Sequence, residues 1–329
     1  MEDRAESWFP RRTSRWQDWQ PEQLARWKRS QGIRTSVVIP ARDEERTVGG
    51  IVGAIRDEFM TGEPLVDELV VMDSDSIDRT AEAAAQAGAV VHRCREVGAG
   101  LGAYAGKGEA LWKSLLVTTG DVLVFVDADL VRWGTHFVTG LLGPVLDPVG
   151  HAVLVKGCYD RPSGSGGGGR VTELVARPLL NLWWPELAGV AQPLAGEWAA
   201  TRSLLEQLTI PVGYGVELAV LIDTARQHGI DAIAQVDLGE RSHRSRSDAD
   251  LAVMAAELLL VAERRRTSGT GPDPGAAGEA ANGASTGELA AGLHLRQFTR
   301  EDGALQPRLR AVPAVERQPV SSLRTGVTG

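Results

Sequence analysis

The stretch that most constrains this chain runs from Asp121 to Leu130, D-V-L-V-F-V-D-A-D-L. Val122, Leu123, Val124, Phe125 and Val126 form an unbroken apolar, mostly β-branched run, too short to span a bilayer and bounded by a carboxylate at each end. Such a run fits a strand buried on both faces, as in a parallel sheet. Asp127 and Asp129 follow two residues apart, so extended geometry sends both side chains the same way from the carboxyl end of the strand. Ligands of open α/β sheets bind at that end. Neighbouring carboxylates repel unless a cation or donor lies between them, and hard divalent ions such as Mg²⁺ prefer oxygen ligands of this kind. The same D-x-D spacing also occurs in turns and helix caps.

The flanking sequence repeats the pattern. Thr35 to Pro40, T-S-V-V-I-P, reads as a strand running into Ala41-Arg42-Asp43-Glu44-Glu45-Arg46-Thr47, with a helical pattern through Ile51, Ile55 and Phe59 beyond. Leu65 to Met72 predicts a third strand, ending in Asp73-Ser74-Asp75-Ser76-Ile77-Asp78-Arg79-Thr80. An alanine-rich helix over 80–87 and a strand over 89–93 follow. This alternation predicts an α/β fold with a doubly wound parallel sheet and right-handed crossovers. No G-x-G-x-x-G opens it, so the usual dinucleotide fingerprint is missing. Further on, Trp133–Leu142 predicts a helix, and Ala152–Cys158 and Ile230–Leu238 predict strands. Q-P-L-A-G-E-W-A-A and V-G-Y-G-V-E are expected to begin helices. Over 248–266, Leu251, Met254, Leu258 and Val261 recur at helical spacing and fit core packing.

Two glycine-rich segments carry basic residues. Gly98 to Gly108 contains Lys107 in G-K-G-E-A-L-W, but Gly108 stands where G-x-x-x-x-G-K-[ST] requires Ser or Thr, which rejects an ATPase loop. A lysine at a helix start still suits a phosphate. The tract from Gly164 to Gly169 leads into Arg170-Val171-Thr172-Glu173. Glycine tracts often serve as flexible linkers; here one precedes an amphipathic helix headed by Arg170, which suits an acceptor phosphate or carboxylate. His243 follows a predicted strand and lies among arginines, a setting for a polyanion and a metal.

Composition bounds the rest. The 329 residues, 43% hydrophobic and 24% charged, suffice for one large domain with a substantial core. A net charge of −8 argues against a general nucleic-acid binder, because phosphate affinity needs a basic surface. Cys94 and Cys158 lack metal-ligand spacing and fit two reduced thiols. No stretch approaches the ~20 apolar residues of a membrane span, so no stable membrane insertion and a cytoplasmic location are expected. Residues 1–33 form an expected tryptophan-rich arm, with Trp8, Trp16, Trp19 and Trp27 packed on the body or on a partner subunit. The main domain spans 34–266, divided at 130/131 into a nucleotide-binding and an acceptor-binding half. Residues 267–329 are expected to be a largely disordered linker and tail, with Leu293–Phe298 and 307–320 able to lie along the body.

Together, P-A-R-D-E-E, D-S-D-S-I-D-R-T, G-K-G-E-A-L-W, V-D-A-D-L, G-G-G-R-V-T-E-L-V-A-R-P-L-L, Q-P-L-A-G-E, G-Y-G-V-E and the late histidine resemble the actinobacterial glucosyl-3-phosphoglycerate synthases, over about residues 35–266. Mannosyl-3-phosphoglycerate synthases of the same family look similar. The resemblance implies a GT-A, Rossmann-like, retaining glycosyltransferase that moves glucose from UDP-glucose, or a sugar from a GDP-sugar, to the 2-hydroxyl of 3-phosphoglycerate. It places Pro40, Ala41, Asp43, Glu44, Ser74, Lys107, Asp127, Asp129 and Tyr214 around the nucleotide-sugar. It places Gly169, Arg170, Val171, Thr172 and Ser245 around the acceptor. Asp129 and His243 would hold Mg²⁺ or Mn²⁺, with Asp129, Glu217, Leu194 and Lys107 as the catalytic set. A homodimer is also implied. Asp43 and Ser245 both depart from the family's usual Asn. Polyprenyl-phosphate sugar transferases share the D-x-D and first strands, but G-G-G-R-V-T-E and the missing membrane anchor tell against them. The intact Asp127, Asp129, Lys107 and His243 tell against a binding protein that has lost activity.

Overall fold

A computed structural model describes residues 4–160, 169–241, 247–268, 293–301 and 304–325. Its centre is an eight-stranded sheet in the order β1-β9-β6-β7-β5-β2-β3-β4. The strands are β1 Thr13–Arg15, β2 Thr35–Ala41, β3 Glu68–Asp73, β4 Val90–Arg93, β5 Val122–Phe125, β6 Leu154–Asp160, β7 Trp198–Thr201 and β9 Ile233–Glu240; the short β8, Ile210–Pro211, lies outside this sheet. Every residue of β5 is buried, as its uninterrupted apolar run requires of a strand covered on both faces. Two hydrophobic clusters sandwich the sheet. One gathers Phe125, Leu123, Trp198 and Trp112; the other gathers Val122, Val124, Phe137 and Leu141.

The helices before the first half of the sheet closes are α1 Arg4–Arg12, α2 Pro21–Gln31, α3 Val48–Arg56, α4 Thr80–Ala87, α5 Lys107–Val117 and α6 His136–Leu146. They are followed by α7 Arg177–Trp183, α8 Arg202–Leu205, α9 Val216–His228 and α10 Asp248–Ser268. The expected alternation holds from β2 to β5, all of whose neighbours within that block pair in parallel. It breaks at β7, which pairs antiparallel with both β5 and β6, so the sheet is mixed. The reason is local. Q-P-L-A-G-E-W-A-A does not start a helix but delivers Trp198, Ala199 and Ala200 to the gap between two strands. All three are buried, and sheet burial outweighs alanine's helix preference. The helix expected over 133–142 begins three residues later, at His136.

Both termini belong to the body. Thr13–Arg15 pairs in parallel with Gln235–Asp237 at the sheet edge. Trp8 is fully buried and donates from Nε1 to the Ile230 carbonyl at 2.9 Å, while Trp16, Trp19 and Trp27 pack against the second cluster. The tail expected to be largely disordered contains ordered structure among its described residues. A hairpin joins β10, Leu293–Glu301, to β11, Ala304–Val312; β12, Glu316–Arg317, pairs antiparallel with β8, and α11 spans Val320–Thr325. Buried Val312 and Val320 anchor this segment. Among the described residues no helix is long and apolar enough to cross a membrane. Replacing Trp8 by Ala removes a buried indole and one of the two donors to the Ile230 carbonyl, the other being the Ile233 amide. The expected cost is about 3–5 kcal/mol, read as a lower midpoint in urea-induced unfolding; a shift below about 1 kcal/mol would show that the N-terminal segment is detachable.

Candidate active site

The parallel strands β2, β3, β4 and β5 bring their carboxyl ends to one rim, and the expected nucleotide-site residues lie there. Pro40 and Ala41 end β2. Asp43 adopts a left-handed backbone, φ 56°, which Asn and Asp tolerate better than most residues. Its Oδ1 accepts from the Ile77 amide at 2.9 Å, while its own amide donates to Ser76 Oγ at 3.0 Å. The carboxylate therefore stitches the 41–47 turn to the loop after β3. Glu44 donates its amide to Thr80 Oγ1 at 2.7 Å in the same seam. Ser74 follows β3, with its amide on the Ala41 carbonyl at 2.8 Å and its hydroxyl 3.7 Å from Cys94 Sγ. Both cysteines are free, as expected, and burial raises their pKa values above the ordinary value for a thiol.

Lys107 opens α5, held between two glycines that have no room for a side chain. A Cβ on Gly106 would lie 2.2 Å from the Val212 carbonyl oxygen, and one on Gly108 would lie 1.8 Å from that of Pro211. The fit is closed by backbone bonds from Gly108 to the Gly213 carbonyl, 3.2 Å, and from Glu109 to that of Val212, 2.9 Å. Lys107 Nζ then reaches Asp127 Oδ1 at 2.6 Å and Glu217 Oε1 at 2.8 Å. Burial alone would depress its pKa, but the two carboxylates outweigh that and hold it above the ordinary lysine value. The lysine expected beside a diphosphate is thus fixed by two acids. Glu217 comes from the first turn of α9 and is itself buried. Tyr214, in the turn ahead of α9, donates its amide to Glu257 of α10.

Asp127 is also bound from the opposite side. Arg241, just past β9, donates to Asp127 Oδ2 at 2.8 Å, lies 3.0 Å from Glu197 and stays 3.7 Å from Asp129 Oδ1. Its ring partner is Tyr159, whose hydroxyl it contacts at 3.0 Å. The two carboxylates of the D-x-D pair therefore differ. Asp127 is neutralised by two cations, whereas Asp129 Oδ1 is buried and, among the described residues, has no hydrogen-bond partner. An orphaned carboxylate oxygen of that kind fits a hard divalent cation. Among the described residues no group of three or more His, Cys, Asp and Glu side chains forms a complete metal cage. His243 and Ser245 lie outside the described residues.

Two further buried groups escaped the motif reading. Glu197, at the entrance to β7, is fully buried, and burial raises its pKa despite Arg241. Lys156, on β6, donates to the Ala195 carbonyl at 2.8 Å and is held by burial at a pKa of about 8. The signal available for Arg241 was its position immediately after a strand that shares the sheet with β5. Lys156 and Glu197 offered only an ionisable residue inside an apolar strand pattern. Leu194 is half-buried in the loop that Lys156 braces.

The expected acceptor residues lie at the head of a helix, as read. Gly169 and Arg170 precede a π-helical turn, Thr172–Ala176, which continues into α7; such turns are often found at functional sites. Val171 and Thr172 are buried, and Arg170 is exposed and paired with Asp248. Arg177 ties this helix to the Leu194 loop through the Ala191 carbonyl at 2.8 Å.

A rim of strand ends carrying a divided carboxylate pair, a glycine-flanked lysine and a basic helix head is the setting of nucleotide-sugar chemistry, and comparison with known proteins agrees. Residues 36–154 match the family model Glycosyl transferase family 2. The chain is 43% identical over 299 residues to the glucosyl-3-phosphoglycerate synthase of Mycolicibacterium smegmatis, covering 89% of this chain and 91% of that one. This chain belongs to the glucosyl-3-phosphoglycerate synthase family. It superimposes with a TM-score of 0.78 on the Mycobacterium tuberculosis member solved with Mn²⁺ and UDP-glucose, at 39% identity, covering 93% and 96% of the two chains. The mannosyl-3-phosphoglycerate synthase of Rubrobacter xylanophilus gives a TM-score of 0.84 at 38% identity, covering 97% and 98%. The GT-A fold expected from the sequence is therefore the fold of this chain, with β7 as the antiparallel strand of its eight-stranded sheet.

Gly196 tests the rim directly, because a Cβ there would lie 2.1 Å from Asp127 Oδ2, which Lys107 and Arg241 prevent from yielding. Gly196→Ala is expected to leave the fold intact and to lower turnover by about 10²-fold, the scale of a misplaced catalytic group. Steady-state rates beside a thermal melt decide it; wild-type rates would mean that Asp127 is free to move.

Proposed function

We propose that this protein transfers glucose from UDP-glucose to the 2-hydroxyl of 3-phosphoglycerate with retention of configuration. The observation that carries the reading is the unequal D-x-D pair: Asp127 is locked by Lys107 and Arg241, while the buried Asp129 Oδ1 has no hydrogen-bond partner among the described residues. Asp129 with His243 would hold Mg²⁺ or Mn²⁺, whose contribution when bound is Lewis-acid stabilisation of the leaving diphosphate.

The remaining roles belong to the chain's own residues. Pro40, Ala41, Asp43, Glu44 and Ser74 form the rim for the nucleotide. Lys107, held at Asp127 and Glu217, supplies a fixed positive charge toward the diphosphate as it departs. Glu217 and Tyr214 adjoin the sugar, and the Leu194 carbonyl faces its reacting carbon. Arg170, with the backbone of Gly169, Val171 and Thr172, takes the acceptor phosphate, exchanging its Asp248 partner for the anion. The acceptor hydroxyl then attacks from the face the diphosphate leaves, and a diphosphate oxygen takes its proton. Ser245 would also meet the acceptor. The related M. tuberculosis enzyme has been solved with Mn²⁺, UDP and glucosyl-3-phosphoglycerate, which supports the pairing of donor and acceptor. The close likeness to a mannosyl-3-phosphoglycerate synthase favours GDP-mannose as the second donor to test.

Purified protein with Mg²⁺ and 3-phosphoglycerate is expected to release UDP from UDP-glucose only when the acceptor is present. The product should be an α-linked glucosyl-3-phosphoglycerate by mass and NMR. Chelation of the metal, or Asp129→Ala, should lower the rate by at least about 10²-fold, the loss expected when transition-state charge is left unstabilised. Faster acceptor-dependent turnover with GDP-mannose would reassign the donor. No acceptor-dependent release with either donor would refute the reaction.

A further inference from the structure

The loop from Cys94 to Gly106 joins β4 to Lys107 and lies on the same rim as the loop after β3, to which it is tied by the Cys94 amide on the Asp73 carbonyl at 2.9 Å. Four of its residues, 98, 100, 102 and 106, are glycines, so its own side chains restrict it little. A further restraint comes from the far end of the chain. Arg317, in β12, makes a two-pronged pair with Glu109 at 2.6 and 2.8 Å and donates to the carbonyls of Leu101 at 2.8 Å and Gly102 at 3.1 Å. Its guanidinium lies over the rings of Tyr104, 4.6 Å, and Trp112, 4.8 Å. Five donors in a planar fork allow one side chain to make all of these contacts, which a lysine cannot.

The clamp is itself well anchored. Glu109 is buried, accepts from the Tyr104 amide at 3.3 Å and lies 3.4 Å from Lys113, which donates to the Cys94 and Gly102 carbonyls at 2.7 and 2.9 Å. On the other side β12 pairs with β8, Val212 donates its amide to the Val315 carbonyl at 3.1 Å, and Glu316 is paired with Arg265 of α10 at 2.9 Å. The segment 210–213 held by β12 is the same backbone against which Gly106 and Gly108 are pressed. The C-terminal segment thus grips both walls of the groove in which Lys107 is set.

We propose that Arg317 is a positioning residue for the nucleoside-diphosphate sugar: by clamping Glu109 and the Leu101 and Gly102 carbonyls it fixes the 98–106 loop on the donor rim, while Lys107 keeps its own anchors on Asp127 and Glu217. The identity of the ligand rests on the functional reading above; the clamping of the loop does not. Arg317 touches no reacting atom, so its loss weakens donor binding more than it slows the chemical step.

The test uses the full-length protein as wild type, Arg317→Ala and Arg317→Lys. Amide hydrogen exchange is followed in peptides covering 98–106 and in peptides covering β2 and β5. Arg317→Ala is expected to speed exchange in 98–106 while β2 and β5 stay protected. It should raise the KM for UDP-glucose, and the Kd for UDP with Mg²⁺, by about tenfold or more, with kcat at saturating donor within about threefold, the pattern of lost binding common to ground and transition states. Arg317→Lys should fall between the two in both readouts. Unchanged exchange in 98–106, or a fall in kcat with donor affinity retained, overturns the proposal. Should the alanine variant not fold, the lysine variant decides by the same criteria, and wild-type behaviour there overturns the proposal. A wild type that binds UDP but does not glycosylate 3-phosphoglycerate would refute the acceptor assignment while leaving the clamp readable in exchange and UDP affinity.

Discussion

The ion pair between Lys107 and Asp127 is the contact on which the rest of this site depends. It joins the head of α5 to the end of β5 across 2.6 Å, and Glu217 draws the first turn of α9 into the same cluster. Exposed pairs contribute little, but this one is nearly enclosed, and removing either partner would leave the other with a single counter-charge among the described residues, Glu217 for Lys107 or Arg241 for Asp127, in a low-dielectric setting. Arg241 completes the arrangement from the end of β9, so that four separate chain segments meet at one carboxylate.

Electrostatic balance then gives Asp129 its role. Among the described residues, Asp127, Asp129, Glu197 and Glu217 face Lys107, Lys156 and Arg241, leaving one carboxylate in excess. Burial holds Lys156 at a pKa of about 8, which makes its charge the least secure of the three cations near neutral pH. A site with that surplus attracts a divalent cation and, once it is bound, turns toward the two anionic substrates of the proposed reaction. The glycines act by absence of volume: Gly106, Gly108 and Gly196 let backbone and carboxylate approach to distances that any Cβ would block.

Much of this was legible in the chain. The alternation from Thr35 to Leu130 fixed the strand ends that carry Ala41, Ser74 and Asp127, because period and β-branching report burial directly. The helix head at Arg170 and the helix start that carries Glu217 lie where their motifs placed them. What stayed hidden depends on contacts distant in sequence. Trp198–Thr201 became a strand because a gap between β5 and β6 needed filling, which local propensity does not register. The pairing of Arg241 with Asp127 spans more than a hundred residues. Residues 293–317 read as tail because their composition is mixed, yet Arg317 finds Glu109 and two carbonyls that only the folded body assembles. Asp43, which the resemblance placed at the nucleotide-sugar, also accepts from the Ile77 amide in a left-handed turn, a contact that the motif does not announce.

The division of labour between Asp127 and Asp129 is most directly tested by Mn²⁺ binding in the presence of UDP, followed by electron paramagnetic resonance for wild type, Asp127→Asn and Asp129→Asn. The account predicts that Asp129→Asn loses the bound-manganese signal, whereas Asp127→Asn, whose carboxylate serves Lys107 and Arg241, retains it at reduced affinity. Loss of the signal in Asp127→Asn with full retention in Asp129→Asn would contradict it.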